Sequence, residues 1–276
     1  MPRASGRGVE IEYETFGEAG APTVMLINGL GSQMTRWPAP FCEMLVAKGL
    51  RAVRMDNRDT GKSTWFQPGD AYSLSDMAED VAMVLDAAGA AKAHIVGVSM
   101  GGMIAQTVAI EHPDRVLSLT SIMSNTGNPD LPPAPAAGVL TAVPPDPKAD
   151  WEGFVAHGMK NARIIGSPGF PWTDEELRER TESEYRRAYN PTGSQRQMGA
   201  IRAYGDRRPM LAHLKVPTLV LHGADDPLVP VAGGRDTAAN IPGAELRIIE
   251  GMGHDMTPRL YPIFLDAILH SVARAS

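Results

Sequence analysis

Ser99 stands at the centre of Gly97-Val98-Ser99-Met100-Gly101-Gly102, directly after the apolar run Ala93 to Val98 and before the helical stretch Met103 to Ala109. A G-x-S-x-G pattern between a strand and a helix presents a serine hydroxyl on a sharp turn. Gly97 and Gly101 occupy the places where a side chain would collide with the adjoining strand and helix. A serine hydroxyl is a weak nucleophile at its own pKa, so the chemistry needs a base and an acid that orients it, in the chain order Ser, Asp or Glu, His. Both occur downstream. Asp225 and Asp226 follow the apolar run Pro217 to His222 in Gly223-Ala224-Asp225-Asp226-Pro227, and His254 follows Ala244 to Glu250 in Gly251-Met252-Gly253-His254. Each group falls at the carboxyl end of an apolar run, where open α/β sheets place their sites. Ser99 lies 127 residues before Asp226, and Asp226 lies 28 before His254. Asp225 and Asp226 compete for the acid role, and spacing favours the second. The chemistry is nucleophilic acyl transfer: Ser99 attacks a carbonyl, His254 takes its proton, and the aspartate fixes the imidazole tautomer.

These residues need a scaffold, and the sequence describes one. Six short apolar runs, Thr23 to Asn28, Arg51 to Asp56, Ala93 to Val98, Val116 to Met123, Pro217 to His222 and Ala244 to Glu250, read as buried strands. Helical stretches separate them, as in a parallel sheet with crossover helices. One spans Leu74 to Ala88, with Leu74, Met77, Ala78, Val81, Val84 and Leu85 on one face, Ser73 or Ser75 as its cap and Gly89 as its stop. From Asn125 to Asp150 the chain turns to Pro, Ala and Gly, which end the sheet. Helical signals then resume, with Thr173-Asp174-Glu175-Glu176 as an N-cap and acidic first turn. The expected organisation is a core of residues 1–125 and 209–276, interrupted by a helical cap over 126–208. Seven of the sixteen aromatics fall in that insertion. Most serve its own packing; Trp151, Phe170, Trp172 and Tyr204 are the candidates for lining a substrate pocket.

Composition narrows the function. At 276 residues, 43% hydrophobic and 21% charged, the chain is an ordinary globular one. A net charge of −6, from 26 basic against 32 acidic residues, leaves no excess of cations for nucleic acid or a membrane surface. The single cysteine, Cys42, excludes an intrachain disulfide and a thiolate metal cluster, and it reads as core. His94 and His222 lack a second histidine at ligand spacing, so they read as packing residues and no metal is expected. Asp59-Thr60-Gly61-Lys62-Ser63 has the tail of a phosphate-binding loop, but Asp56 stands where its first glycine belongs, which excludes nucleotide binding. With no apolar leader after Met1 and no apolar run of about 18 residues, the cytoplasm is the expected compartment.

The chain resembles the α/β-hydrolase-fold serine hydrolases. The acid register G-x-x-D-x-x-x-P runs from Gly223 to Pro230 and selects Asp226. The loops Asp56 to Ser63 and Glu250 to His254 are similar to the family's. RDTGKST, GVSMGG and IEGMGH look like the motifs of aclacinomycin methylesterase-like carboxylesterases. The resemblance implies a mostly parallel sheet with helices on both faces, a helical cap, no cofactor, and hydrolysis of a small-molecule ester by a monomer or homodimer. It also implies an oxyanion hole made by the backbone N–H groups of Leu30 and Met100, with Gly29 beside them. The family's His-Gly is Asn28-Gly29 here, but backbone donors do not depend on that side chain. C–C, lactone and amide hydrolysis and perhydrolysis use the same triad. A non-catalytic small-ligand receptor of the same fold is a further alternative. Epoxide and haloalkane hydrolysis are disfavoured, because those relatives carry Asp where Ser99 stands.

Overall fold

The computed structural model describes residues 1–275. Its eight strands are β1 (Arg3–Gly6), β2 (Val9–Phe16), β3 (Thr23–Ile27), β4 (Arg51–Met55), β5 (Ala93–Val98), β6 (Val116–Ile122), β7 (Thr218–Gly223) and β8 (Glu245–Ile249). They form one sheet in the order β1-β2-β4-β3-β5-β6-β7-β8. β3 to β8 pair in parallel, while β1 and β2 are antiparallel additions at one edge. The six sequence-read strands are therefore β3 to β8. β1 and β2, which the sequence reading missed, are charged and alternating; in β2, Glu10 and Glu14 face outward while Ile11 and Tyr13 are buried.

The helices are α1 (Ala39–Val46), α2 (Leu74–Ala87), α3 (Met100–Glu111), α4 (Trp151–Ile165), α5 (Asp174–Arg187), α6 (Gly193–Tyr204), α7 (Arg208–Leu211), α8 (Val231–Asn240) and α9 (Tyr261–Ala273). The central strands send alternate residues to two cores. Met25 and Ile27 of β3 join one with α2 and α3, and Val24 and Leu26 join the other with Phe41 of α1 and Phe264 of α9. Both faces of the sheet are covered, which is why these strands lack polar alternation. Ser73 caps α2 through a reciprocal bond pair with Asp76, and Thr173 caps α5 likewise through Glu176.

Between β6 and β7, α4 and α5 pack around a small core of their own, Phe154, Val155, Met159, Ala162 and Leu177. Arg187 at the end of α5 reaches down to Asp56, 2.7 Å away, and Arg196 of α6 grips Asp59 with two bonds of 2.7 and 2.9 Å. Ala200 of α6 lies in the main core with α2, so this helix belongs to both layers. Among the described residues, no helix is long and apolar enough to cross a membrane.

Candidate active site

Ser99 sits between β5 and α3 with φ 56° and ψ −122°, a left-handed conformation that a non-glycine residue adopts at a cost of about 1–3 kcal/mol. The neighbouring residues enforce it. A Cβ on Gly97 would lie 2.0 Å from the Gly101 carbonyl oxygen, and one on Gly101 would lie 2.3 Å from that of Ile27. The turn is thus wedged between β3 and α3, and Ser99 N donates to the Ile122 carbonyl of β6 at 2.9 Å.

The loops after β7 and β8 bring the other two groups to it. His254 Nε2 lies 2.9 Å from Ser99 Oγ, and its Nδ1 lies 2.7 Å from Asp226 Oδ2. The remaining Asp226 oxygen accepts from the backbone N–H groups of Leu228 and Val229, at 2.9 and 2.8 Å. Asp225, the competing acid, is exposed and turns away to accept from Gly251 N at 2.8 Å. Asp226 and His254 are buried, at 6% and 8% exposure, while Ser99 is only half-buried at the cavity wall. His222 lies 3.6 Å from Asp226 but bonds the Val229 carbonyl, and burial holds its imidazole below the usual histidine range.

Among the described residues, the backbone N–H groups of Leu30 and Met100 have no acceptor inside the protein. Gly29 brings its backbone against the serine; a Cβ there would lie 3.1 Å from Ser99 Cβ. Met100 opens α3, so the positive end of that helix adds to the field at the serine. Asn28, fully buried before Gly29, accepts from Asn57 Nδ2 through its carbonyl at 3.0 Å.

A cavity of about 640 Å³ opens over Ser99 and His254, walled largely by apolar side chains, among them Met103, Met123, Ile165, Met198 and Leu228. Of the four aromatic candidates, Trp172 lines it. The other three are corrected by the structure. Trp151 stacks on Phe154 in the small core between α4 and α5, and Phe170 packs against the core that holds Phe41 and Phe264. Tyr204 lies against α3 with its hydroxyl on Glu111, 2.9 Å away. The cavity also holds groups that the sequence reading did not single out. Arg180 of α5 lies over the Trp172 ring at 5.1 Å with no carboxylate within 4 Å among the described residues, and burial pulls its guanidinium down to about 10. Arg36 is paired with Glu184. Asp255, next to the histidine, is buried, and desolvation pushes its carboxyl up. Among the described residues, no cluster of three or more His, Cys, Asp or Glu could hold a metal ion.

A parallel sheet carrying a strained serine turn, with an aspartate and a histidine on later strand ends, defines an α/β-hydrolase. The profile of the alpha/beta hydrolase fold family matches residues 22–257, and the chain belongs to that family. It is 28% identical over 265 residues to a rhodomycin D methylesterase from Streptomyces sp. strain C5, covering 89% of each chain. It is 31% identical over 244 residues to a 2-hydroxy-6-oxononadienedioate/2-hydroxy-6-oxononatrienedioate hydrolase from Cupriavidus pinatubonensis, covering 86% of this chain and 81% of that one. Its fold matches a meta-cleavage product hydrolase from Pseudomonas fluorescens IP01 with a TM-score of 0.83 over 100% of this chain and 98% of that one, at 21% identity. The chain is a hydrolase of a family that acts on small molecules.

Proposed function

We propose that the chain is a serine esterase that cleaves a carboxylic ester of a small or medium apolar substrate by two-step acyl transfer. The observation that carries this reading is the line of contacts from Asp226 through His254 to Ser99, at 2.7 and 2.9 Å. In it, Ser99 Oγ attacks the ester carbonyl while His254 Nε2 accepts the hydroxyl proton, and Asp226 stabilises the imidazolium. The Leu30 and Met100 amides receive the oxyanion, for which each donor is worth about 3 kcal/mol. His254 returns the proton to the leaving alcohol; water, deprotonated by the same imidazole, then releases the acid from Ser99. The apolar cavity and the methylesterase relative support an ester with an apolar body. No step calls on a cofactor. The enzyme acts as a monomer or homodimer, and a single buried thiol suits the reducing cytoplasm.

A second reading applies the same serine to a C–C bond. The Cupriavidus relative, named for an oxo-dicarboxylate with no ester, favours it. So does Arg180, a cation facing the cavity without a carboxylate partner, which suits a substrate with an anionic end. Initial rates on p-nitrophenyl esters from acetate to decanoate, for wild type and Ser99→Ala, test the first reading. Turnover that disappears in the folded variant is the expected result. A folded wild type that cleaves none of the series would overturn the ester reading.

A further inference from the structure

His254 is gripped from two sides, and only one of them belongs to the core. On the core side, Gly251 N donates to Asp225 Oδ2 at 2.8 Å, and Asp225 N donates to the Met252 carbonyl at 3.1 Å. These bonds hold residues 251 and 252. The next three residues are held by the end of α4 and the cap segment that follows it. His254 N donates to the Ile165 carbonyl at 2.7 Å, and Gly253 N donates to Ser167 Oγ at 2.9 Å. The Ser167 hydroxyl donates in turn to Asp255 Oδ1, while Ser167 N approaches Asp255 Oδ2 at 3.3 Å. Gly169 N closes the seam by donating to the Gly251 carbonyl at 2.8 Å. The two backbones touch: a Cβ on Gly253 would lie 2.2 Å from the Gly166 carbonyl oxygen, so glycine before the histidine is demanded by the cap.

We propose that Ser167 and Asp255 are positioning residues for His254, clamping its loop to the cap so that seating the cap and aligning the base are one event. The proposal rests on the reading of Ser99 and His254 as nucleophile and base. Its physical basis is the placement of a costly group. Asp255 is a buried carboxyl with no ion pair within 4 Å among the described residues; Ser167 is its hydrogen-bond partner, the nearby Trp172 indole also favours its charged form, and Arg180 attracts it only from farther away. An apolar side chain would seal the same seam without a desolvation penalty. A carboxyl there ties residue 255 to residue 167, and the Ser167 hydroxyl ties that pair to residue 253. The clamp therefore brackets the histidine on both chain neighbours. The contacts it protects are short and simultaneous, 2.9 Å to the nucleophile and 2.7 Å to the acid, and a misplacement of about 1 Å in such an arrangement costs about 10²-fold in rate.

The test compares wild type with Ser167→Ala, Asp255→Ala, the double variant and Ser167→Thr on p-nitrophenyl acetate, butyrate and decanoate. In parallel it measures the rate at which a fluorophosphonate probe phosphonylates Ser99, forming the Oγ–P bond with loss of fluoride. Both alanine variants are expected to lose about 10–10²-fold in kcat by the same factor on all three esters, with KM within about threefold. The double variant should be no worse than either single one, because both act through the same clamp. Ser167→Thr keeps the hydroxyl and should keep kcat. Phosphonylation should slow in step. Unchanged kcat and labelling in the alanine variants would overturn the proposal. A loss confined to decanoate through KM would also overturn it and make the pair part of the acyl pocket, and so would a slow Thr variant. If wild type cleaves no ester while labelling still slows in the alanine variants, the clamp stands and the ester reading fails.

Discussion

Asp226→Asn tests the geometry of the acid more sharply than its removal does. Asp226 Oδ1 accepts from two backbone N–H groups, of Leu228 and Val229, while Oδ2 faces His254 Nδ1 at 2.7 Å. In the Asn variant, the amide oxygen keeps the two backbone donors. Turning it round would forfeit two hydrogen bonds, about 1–3 kcal/mol together, and set an NH₂ against two N–H groups. The side-chain NH₂ therefore faces the imidazole and donates to Nδ1, which leaves the ring proton on Nε2. That nitrogen then points a proton at Ser99 Oγ and cannot accept one. A wrong tautomer in such a triad lowers kcat by about 10⁴, equivalent to about 5.5 kcal/mol of transition-state stabilisation. The volume and the backbone bonds are conserved, so the thermal midpoint should stay close to that of wild type. The assay is ester hydrolysis, with active sites counted by burst titration so that misfolded enzyme does not pass for slow enzyme. An Asn variant within tenfold of wild type would refute the assignment of Asp226 as the group that fixes the tautomer.

Three further outcomes follow from the same structure. Gly29→Ala places a methyl 3.1 Å from Ser99 Cβ and 3.6 Å from its Oγ, so kcat should fall about 10–10²-fold with little change in the melting curve; unchanged kcat would contradict the close approach. Cys42 is fully buried and its thiol is pushed up to about 12, so iodoacetamide at pH 8 should leave it unmodified in the native protein and alkylate it in denaturant, as read by mass spectrometry; native alkylation would contradict its place in the core. His94 and His222 are both held below the usual histidine range by burial, so the unfolded chain takes up their protons more readily than the folded one. Stability is then full above pH about 6.5 and falls as the pH drops below it, so the thermal midpoint should decline from pH 7 to 5, and a flat profile would contradict neutral buried imidazoles.

What the sequence disclosed and what it hid divide along local and long-range physics. The serine turn is legible because its steric demands are met within six residues: Gly97 and Gly101 are where backbones cross. β3, β5 and β7 are legible because burial on both faces favours near-continuous apolar runs, whereas β4 carries Arg51 and Arg54 and the half-buried edge strand β8 carries Glu245 and Arg247. β1 and β2 escaped because an antiparallel edge needs only one apolar face: in β2 Val9, Ile11 and Tyr13 alternate with Glu10, Glu12 and Glu14, so no apolar run forms. The choice between two adjacent aspartates turned on the register to Pro230, and the structure puts Asp226, not Asp225, beside His254. Cavity lining was the least legible, because it depends on how the helices between β6 and β7 seat. Trp151 and Trp172 look alike in sequence, yet one packs against the small core between α4 and α5 and the other faces the cavity. Arg180 and Ser167 carried no motif; the cavity that the first faces and the Gly253 and Asp255 that the second holds are brought to them by the fold.

The central claim is that Ser99 carries the acyl group during turnover. Acid-quenched samples taken during steady-state hydrolysis of a slow p-nitrophenyl ester, digested and mapped by mass spectrometry, should show the acyl mass on the peptide containing Ser99 and no modified protein in Ser99→Ala. An acyl group found on another residue, or a Ser99→Ala enzyme that turns over at the wild-type rate, would contradict the account.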